Sequence, residues 1–194
     1  MRIISVTSAS VLSVLLFASP LSAQPRWTAE VRGGINAALE EFNGVDLKIG
    51  PGFEMGVGLR VAPDVFVYGA WDWQNRATKT SLFGVSADVE DTGYAFGLRY
   101  VAPLSGRVKP WVRAGGLYTH VEIEDEDAGD LIADSTHTLG FEVGGGVDLA
   151  LNDRWSLTPG MRYRRFDPKV RRAGTETSAT LSYMTFDVGI AWRF

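Results

Sequence analysis

The chain has 194 residues, no cysteine, and 19 Lys+Arg against 23 Asp+Glu, a net charge of −4. Without cysteine there is no disulfide framework, no zinc–thiolate site and no cysteine nucleophile. The acidic balance argues against a nucleic-acid binder, which is normally basic. Twenty-two glycines and six tryptophans, with no helical hydrophobic period, point to an all-β protein.

Arg2 opens a positive n-region, Ile3 to Phe17 is mostly apolar and broken by serines, and Pro20-Leu21-Ser22-Ala23 offers a cleavage site. This layout predicts a secretory signal peptide over residues 1–23, followed by one domain over residues 24–194. Its removal takes away Arg2 and no acid, leaving 18 cations against 23 acids and a net charge of −5. No other stretch is long and apolar enough to cross a bilayer as a helix, so a membrane form must be a barrel.

Eight segments then alternate with a period of two: Trp27–Ala37, Phe53–Val61, Val65–Trp73, Thr92–Tyr100, Val108–Tyr118, His137–Leu149, Trp155–Tyr163 and Leu181–Phe194. Such alternation places chemically opposite faces on a strand. Each is near the ~9–11 residues of a tilted membrane-spanning strand. Links after the second, fourth and sixth segments are short, and the other links are longer. Gly58-Leu59-Arg60-Val61-Ala62-Pro63 is echoed by Gly97-Leu98-Arg99-Tyr100-Val101-Ala102-Pro103, as expected of two equivalent strands ending in equivalent turns.

A soluble barrel would also have one apolar face, and two features favour the membrane. The polar faces are crowded with glycine and alanine between charges, which a narrow bore requires and a solvated face does not. The aromatics of the apolar face also gather at the two ends. Trp27, Tyr100, Trp155, Trp192 and Phe194 lie at the short-turn end, and Phe53, Trp71, Trp73, Tyr94, Tyr118 and Tyr163 at the other. Bilayer interfaces favour such girdles.

The last segment ends on Phe194, with Trp192, Ile190, Val188, Phe186 and Met184 at alternate positions before it. This resembles the closing strand of bacterial outer-membrane β-barrels, where it is the signal read by the barrel-assembly machinery. With the other seven segments, the chain resembles the small eight-stranded outer-membrane family, similar to the transmembrane domain of outer membrane protein A. The resemblance implies an eight-stranded antiparallel up-and-down transmembrane β-barrel in a Gram-negative outer membrane, with its short turns in the periplasm. Phe194, Trp192 and Ile190 then carry the assembly signal. Members include structural proteins, adhesins, narrow pores and a few lipid A-modifying enzymes, so fold leaves the role open.

For catalysis the chain offers His120 and His137, with Ser135 and Thr136 beside His137 and Glu122 near His120. Nothing in this spacing reproduces a nucleophile, base and orienter, so no catalytic residue and no cofactor is expected. The acidic run Val121 to Ser135 departs from the EF-hand pattern, with Asp130 where glycine is needed, and reads as a solvated charged loop. No metal site is expected.

Positive charge gathers towards the last loop: Arg164, Arg165, Lys169, Arg171 and Arg172. Arg165, Lys169, Arg171 and Arg172 are candidates for contact with lipopolysaccharide phosphates, for which the guanidinium fork is well shaped. Pairing with the acidic loop is the competing expectation. Inward positions carry interleaved charges, with Glu30, Glu54, Arg99, Arg113, Glu142 and Arg162 near mid-strand. Shielded charges must be paired, so these residues are expected to plug the bore, with Arg113–Glu142–Arg162 as a bridge. The expected protein is therefore a non-enzymatic outer-membrane barrel of structural or surface-interaction role, touching outer-membrane lipids and lipopolysaccharide. A narrow porin-like channel is the alternative, and a lipid A-modifying enzyme comes third.

Overall fold

The computed structural model describes residues 26–82, 84–172 and 174–194. The expected signal peptide, residues 1–23, lies outside them. The barrel wall is made of β1 (Trp27–Ala38), β2 (Gly50–Ala62), β3 (Val65–Ala77), β4 (Ala87–Val101) and β5 (Val108–Asp125), completed by β7 (Thr138–Ala150), β8 (Trp155–Phe166) and β11 (Leu181–Arg193). Three short strands stand outside the wall: β6 (Leu131–Ser135), β9 (Lys169–Arg172) and β10 (Thr175–Ser178). Every neighbouring pair is antiparallel, and β1 pairs with β11 to close an eight-stranded barrel. At the seam Trp27 and Phe194 exchange two backbone hydrogen bonds, each 3.0 Å.

Register explains the two faces. Across β2 to β5, Met55, Trp71, Tyr94 and Tyr118 form one outward row near the long-loop end. Trp27, Leu59, Val67, Leu98 and Ala114 form another near the short turns. Val31, Val57, Phe96, Val112, Val143, Val188 and Ile190 are exposed between or near these rows. In a bilayer that exposure is contact with lipid.

Five strands run further on the long-loop side than alternation predicts: β2 from Gly50, β3 to Ala77, β4 from Ala87, β5 to Asp125 and β8 to Phe166. In these extensions the polarity of the wall inverts. Val89, Val121, Ile123 and Phe166 point inward and are buried, while Asp88, Glu90, Glu122, Glu124 and Arg165 occupy the alternate, outward positions. A wall that has left the lipid meets water outside and can bury an apolar core inside. The acidic run is therefore corrected from a solvated loop to a hairpin. Val121 to Asp125 continues β5, and Leu131 to Ser135 forms β6 against it, because Val121 and Ile123 bury one face of the run.

That upper core is contiguous. Phe42, Val45 and Leu47 come from the link after β1, Leu82 from the link after β3, Ala133 from β6, and Val170 from β9. Phe166, Leu181 and Tyr183 complete it from the wall. The link regions thus close the long-loop end with an apolar cap. At the short-turn end the lumen instead widens into a cavity of about 450 Å³.

Candidate functional site: the charged lumen

Between cap and cavity, inward positions of seven strands place charged side chains across a bore that eight strands leave just wide enough for them. Glu54 on β2 is the hub. Arg113 donates to both of its carboxylate oxygens at 2.9 Å, Arg164 donates at 2.8 Å, and Arg162 donates to it as well. Glu142 on β7 accepts from Tyr68 at 2.6 Å and from Arg164 Nε at 2.9 Å, and pairs with Arg113 at 2.7 Å. Asp187 takes Arg32 Nε and Arg162 Nε, each at 2.9 Å. Asp72 pairs with Arg164 at 2.5 Å. Four arginines (32, 113, 162, 164) and four carboxylates (54, 72, 142, 187) therefore form one buried, charge-balanced block. Buried ions persist only where paired and hydrogen-bonded in this way.

The structure brings Glu54, Arg113, Glu142 and Arg162 together. Arg113 and Glu142 are in contact, whereas Arg162 stands 3.9 Å from Glu142 and spends its donors on Glu54 and Asp187. The place expected for Arg162 is filled by Arg164. Read from sequence as part of the loop approach, Arg164 lies on the inward face of β8, because that strand continues to Phe166. Glu30 and Arg99 pair lower down at 2.9 Å, and Glu30 joins the block through Arg32 at 2.6 Å.

Trp111 on β5 floors the block. Its ring is buried, with the Arg32 and Arg99 guanidinium carbons 5.3 and 4.6 Å from its centroid. Arginine over an aromatic face is favourable, more so when desolvated. The indole fits because Gly146 and Gly160 face it. A Cβ at Gly160 would lie 2.5 Å from Trp111 Cζ2. Gly160→Ala is accordingly expected to destabilise the barrel by about 1–3 kcal/mol through overpacking. A lowered urea midpoint in detergent micelles reports it, and an unchanged midpoint would mean that the indole moves without penalty.

Nearer the cap, Arg76 donates to Asp91 at 2.5 and 2.7 Å, and Tyr183 donates to the same carboxylate at 2.8 Å. Alternation did not reveal Arg76 and Asp91, because both lie beyond the strand ends read from sequence. Ion pairs and the apolar cap thus occupy the bore at two heights.

The other expected residues lie outside the lumen. Arg165 pairs with Glu40 at 3.5 Å, and Lys169 and Arg171 both approach Glu176 at 3.6 and 3.7 Å. These pairs are solvent-exposed, and such contacts contribute little. The acidic hairpin does meet this region, but through backbone pairing of β6 with β9, where Asp134 lies opposite Arg171. His120 and His137 lie tilted against each other outside the wall with centroids 4.6 Å apart, and His120 Nε2 is 3.2 Å from Glu122. Ser135 turns the other way, its hydroxyl accepting from the Val121 amide at 2.8 Å. The two histidines and this serine therefore do not converge. Trp192 and Phe194 stack at 4.5 Å on the outer face by the short turns.

Comparison with known proteins agrees with this architecture. The family model described as outer membrane protein beta-barrel domain matches residues 8–194. Neisserial surface protein A superposes with a TM-score of 0.65 at 17% identity, covering 87% of this chain and 97% of that one. OprG from Pseudomonas aeruginosa gives 0.61 at 14% identity, covering 88% and 97%. Ail of Yersinia pestis, solved in complex with the heparin analogue sucrose octasulfate, gives 0.53 at 14% identity, covering 89% and 100%. No curated protein matches the sequence.

Proposed function

The chain belongs to the outer membrane protein β-barrel family, and from that premise we propose a non-enzymatic barrel with a structural or surface-interaction role and a plugged bore. The observation that carries this reading is the double closure of the lumen. A balanced block of four arginines and four carboxylates lies below an apolar cap drawn from the link regions. An ion crossing such a bore would have to displace paired charges and then enter an apolar core, which is costly at both steps. Purified protein in planar bilayers should show no discrete openings. Regular single-channel steps would replace this reading with the narrow channel. The non-enzymatic part rests on Ser135 pointing into the wall and the histidines pointing out. An altered lipid A mass on expression would overturn it.

The surface carrying the interaction is, in this proposal, the exposed cationic end of β8 and the hairpin that follows it. Arg165, Lys169, Arg171 and Arg172 lie beyond the upper aromatic row, at a height suited to lipopolysaccharide phosphates. Replacing all four with Gln is expected to lower co-purifying lipopolysaccharide severalfold at low salt and to leave the folded gel mobility intact, since exposed pairs are worth only about 0–1 kcal/mol each. Unchanged lipopolysaccharide content across salt concentrations would assign these cations to pairing within the loops.

A further inference from the structure

We propose that a groove on the outer face of the wall, rising from the Trp155–Trp192 pair, seats one glycerophospholipid of the leaflet on the short-turn side. The inference is independent of the role proposed for the loops, which lie at the opposite end of the barrel. The groove measures about 830 Å³ and runs between two neighbouring outward rows. The lower row is Trp192–Ala29–Val57–Gly69–Phe96, and the upper one is Ile190–Val31–Met55–Trp71–Tyr94. Its depth comes from Gly69, where a Cβ would meet nothing within 4 Å. Phe96, the register partner of Gly69, leaves that position uncovered because its ring leans the other way, over Gly116. A Cβ at Gly116 would lie 2.9 Å from Phe96 Cζ.

Position and charge together identify the occupant. The outward face between two aromatic girdles meets hydrocarbon, and an acyl chain lying in an open depression recovers the dispersion contacts its walls otherwise lack. Trp155 and Trp192 stack at the lower end of the groove with centroids 6.2 Å apart. Gly69 stands midway between Val65 and Trp73 on β3. A chain that enters at the tryptophan pair therefore reaches Gly69 near the middle of the bilayer, where a chain from one leaflet ends. Headgroup chemistry lies beside the same tryptophans. Arg154 directly precedes Trp155, and Arg26 precedes Trp27, which hydrogen-bonds Phe194 across the seam. Both arginines are exposed, as is Asp153, and none of the three forms an ion pair among the described residues. Guanidinium forks suit a phosphate, and the carboxylate suits an ammonium. Two cations and an acid at this height complement a phosphate that carries an amine.

The test is native mass spectrometry of the refolded full barrel, released from nonionic detergent micelles containing dioleoylphosphatidylethanolamine or, separately, dioleoylglycerol. The wild type is expected to retain a single phosphatidylethanolamine, and to retain the diacylglycerol, which has the same chains and no headgroup phosphate, severalfold less. Gly69→Leu fills the depression without a clash and should lower retention of both lipids severalfold. Gly33→Leu is the control. Gly33 is an equally open outward glycine on β1 that lies outside the groove, so its variant should behave as the wild type. Arg26→Gln with Arg154→Gln should lower phosphatidylethanolamine to the level of the diacylglycerol. All variants should keep the heat-modifiable gel shift, which separates loss of the lipid from loss of folding. No retained phosphatidylethanolamine on the wild type, equal retention by Gly69→Leu, or equal loss in Gly33→Leu overturns the site. Equal retention of the two lipids overturns the headgroup contact, and a dimer that Gly69→Leu dissolves would assign the groove to a second copy of this chain instead.

Discussion

Glu54→Ala is expected to lower the unfolding free energy of the barrel by about 3–5 kcal/mol, the cost of stranding buried charge whose partner has been removed. The size follows from the geometry: this one carboxylate serves Arg113, Arg162 and Arg164. Glu142 serves Arg113, Arg164 and the Tyr68 hydroxyl, so its removal strands one close cation fewer. Adding Arg162→Ala should restore part of the loss, because Asp187, the other partner of Arg162, keeps Arg32. Urea unfolding of single and double variants gives the coupling. If the single variant unfolds like the wild type, the block is not what holds the lumen together. Conductance should stay at background in Glu54→Ala, since the cap lies above the block. Discrete openings in that variant would show that the cap is no seal.

Deleting Phe194 is expected to have the largest effect of all, shifting the protein from folded and membrane-inserted to unfolded in the periplasm. The residue closes the seam through two backbone bonds to Trp27 and stacks on Trp192 beside Trp155. Losing it removes the last pairing of β11 with β1 and one ring of the lower girdle together. A barrel without a closed seam exposes strand edges that lipid cannot satisfy. Cell fractionation with a heat-modifiability gel provides the measurement. Normal yield of folded protein in the outer membrane would show that neither closure nor assembly depends on this ring.

Alternation alone disclosed the wall, its two faces and most of the inward charges, because side-chain direction in a strand is fixed by parity. It also set Tyr68 and Trp111 on the inner face. It failed where the solvent changes. Above the girdle Val89, Val121 and Ile123 are inside and Glu90, Glu122 and Glu124 alternate with them outside, so the period persists while its polarity reverses. A rule that equates apolar with outward ends its strands at that point. Arg76, Asp91 and Arg164 were lost from the lumen for this reason.

Partners across the bore were not legible at all. Glu54 and Arg162 are separated by 108 positions and do not lie on neighbouring strands. Their meeting is set by the stagger of the closed sheet, which no single strand encodes. Bridges between adjacent strands were more accessible, and Arg113–Glu142 is one of them.

The cap has a mechanical consequence for how the protein stays where it is put. Its apolar residues come from separate links, so it can form only after those hairpins have reached the far side of the bilayer. Once formed, it is wider in chemistry than the hole it came through. Asp88, Glu90, Glu122 and Glu124 stand together on its outer surface along β4 and β5, just above the aromatic row. Withdrawal would require the core to come apart and these carboxylates to re-enter hydrocarbon, each unfavourable by itself. The arrangement works as a rivet does, its head shaped after the shank has passed through the plate. Retention then depends on the height of the barrier to backing out, so the lifetime of the inserted barrel is set by a rate more than by an equilibrium.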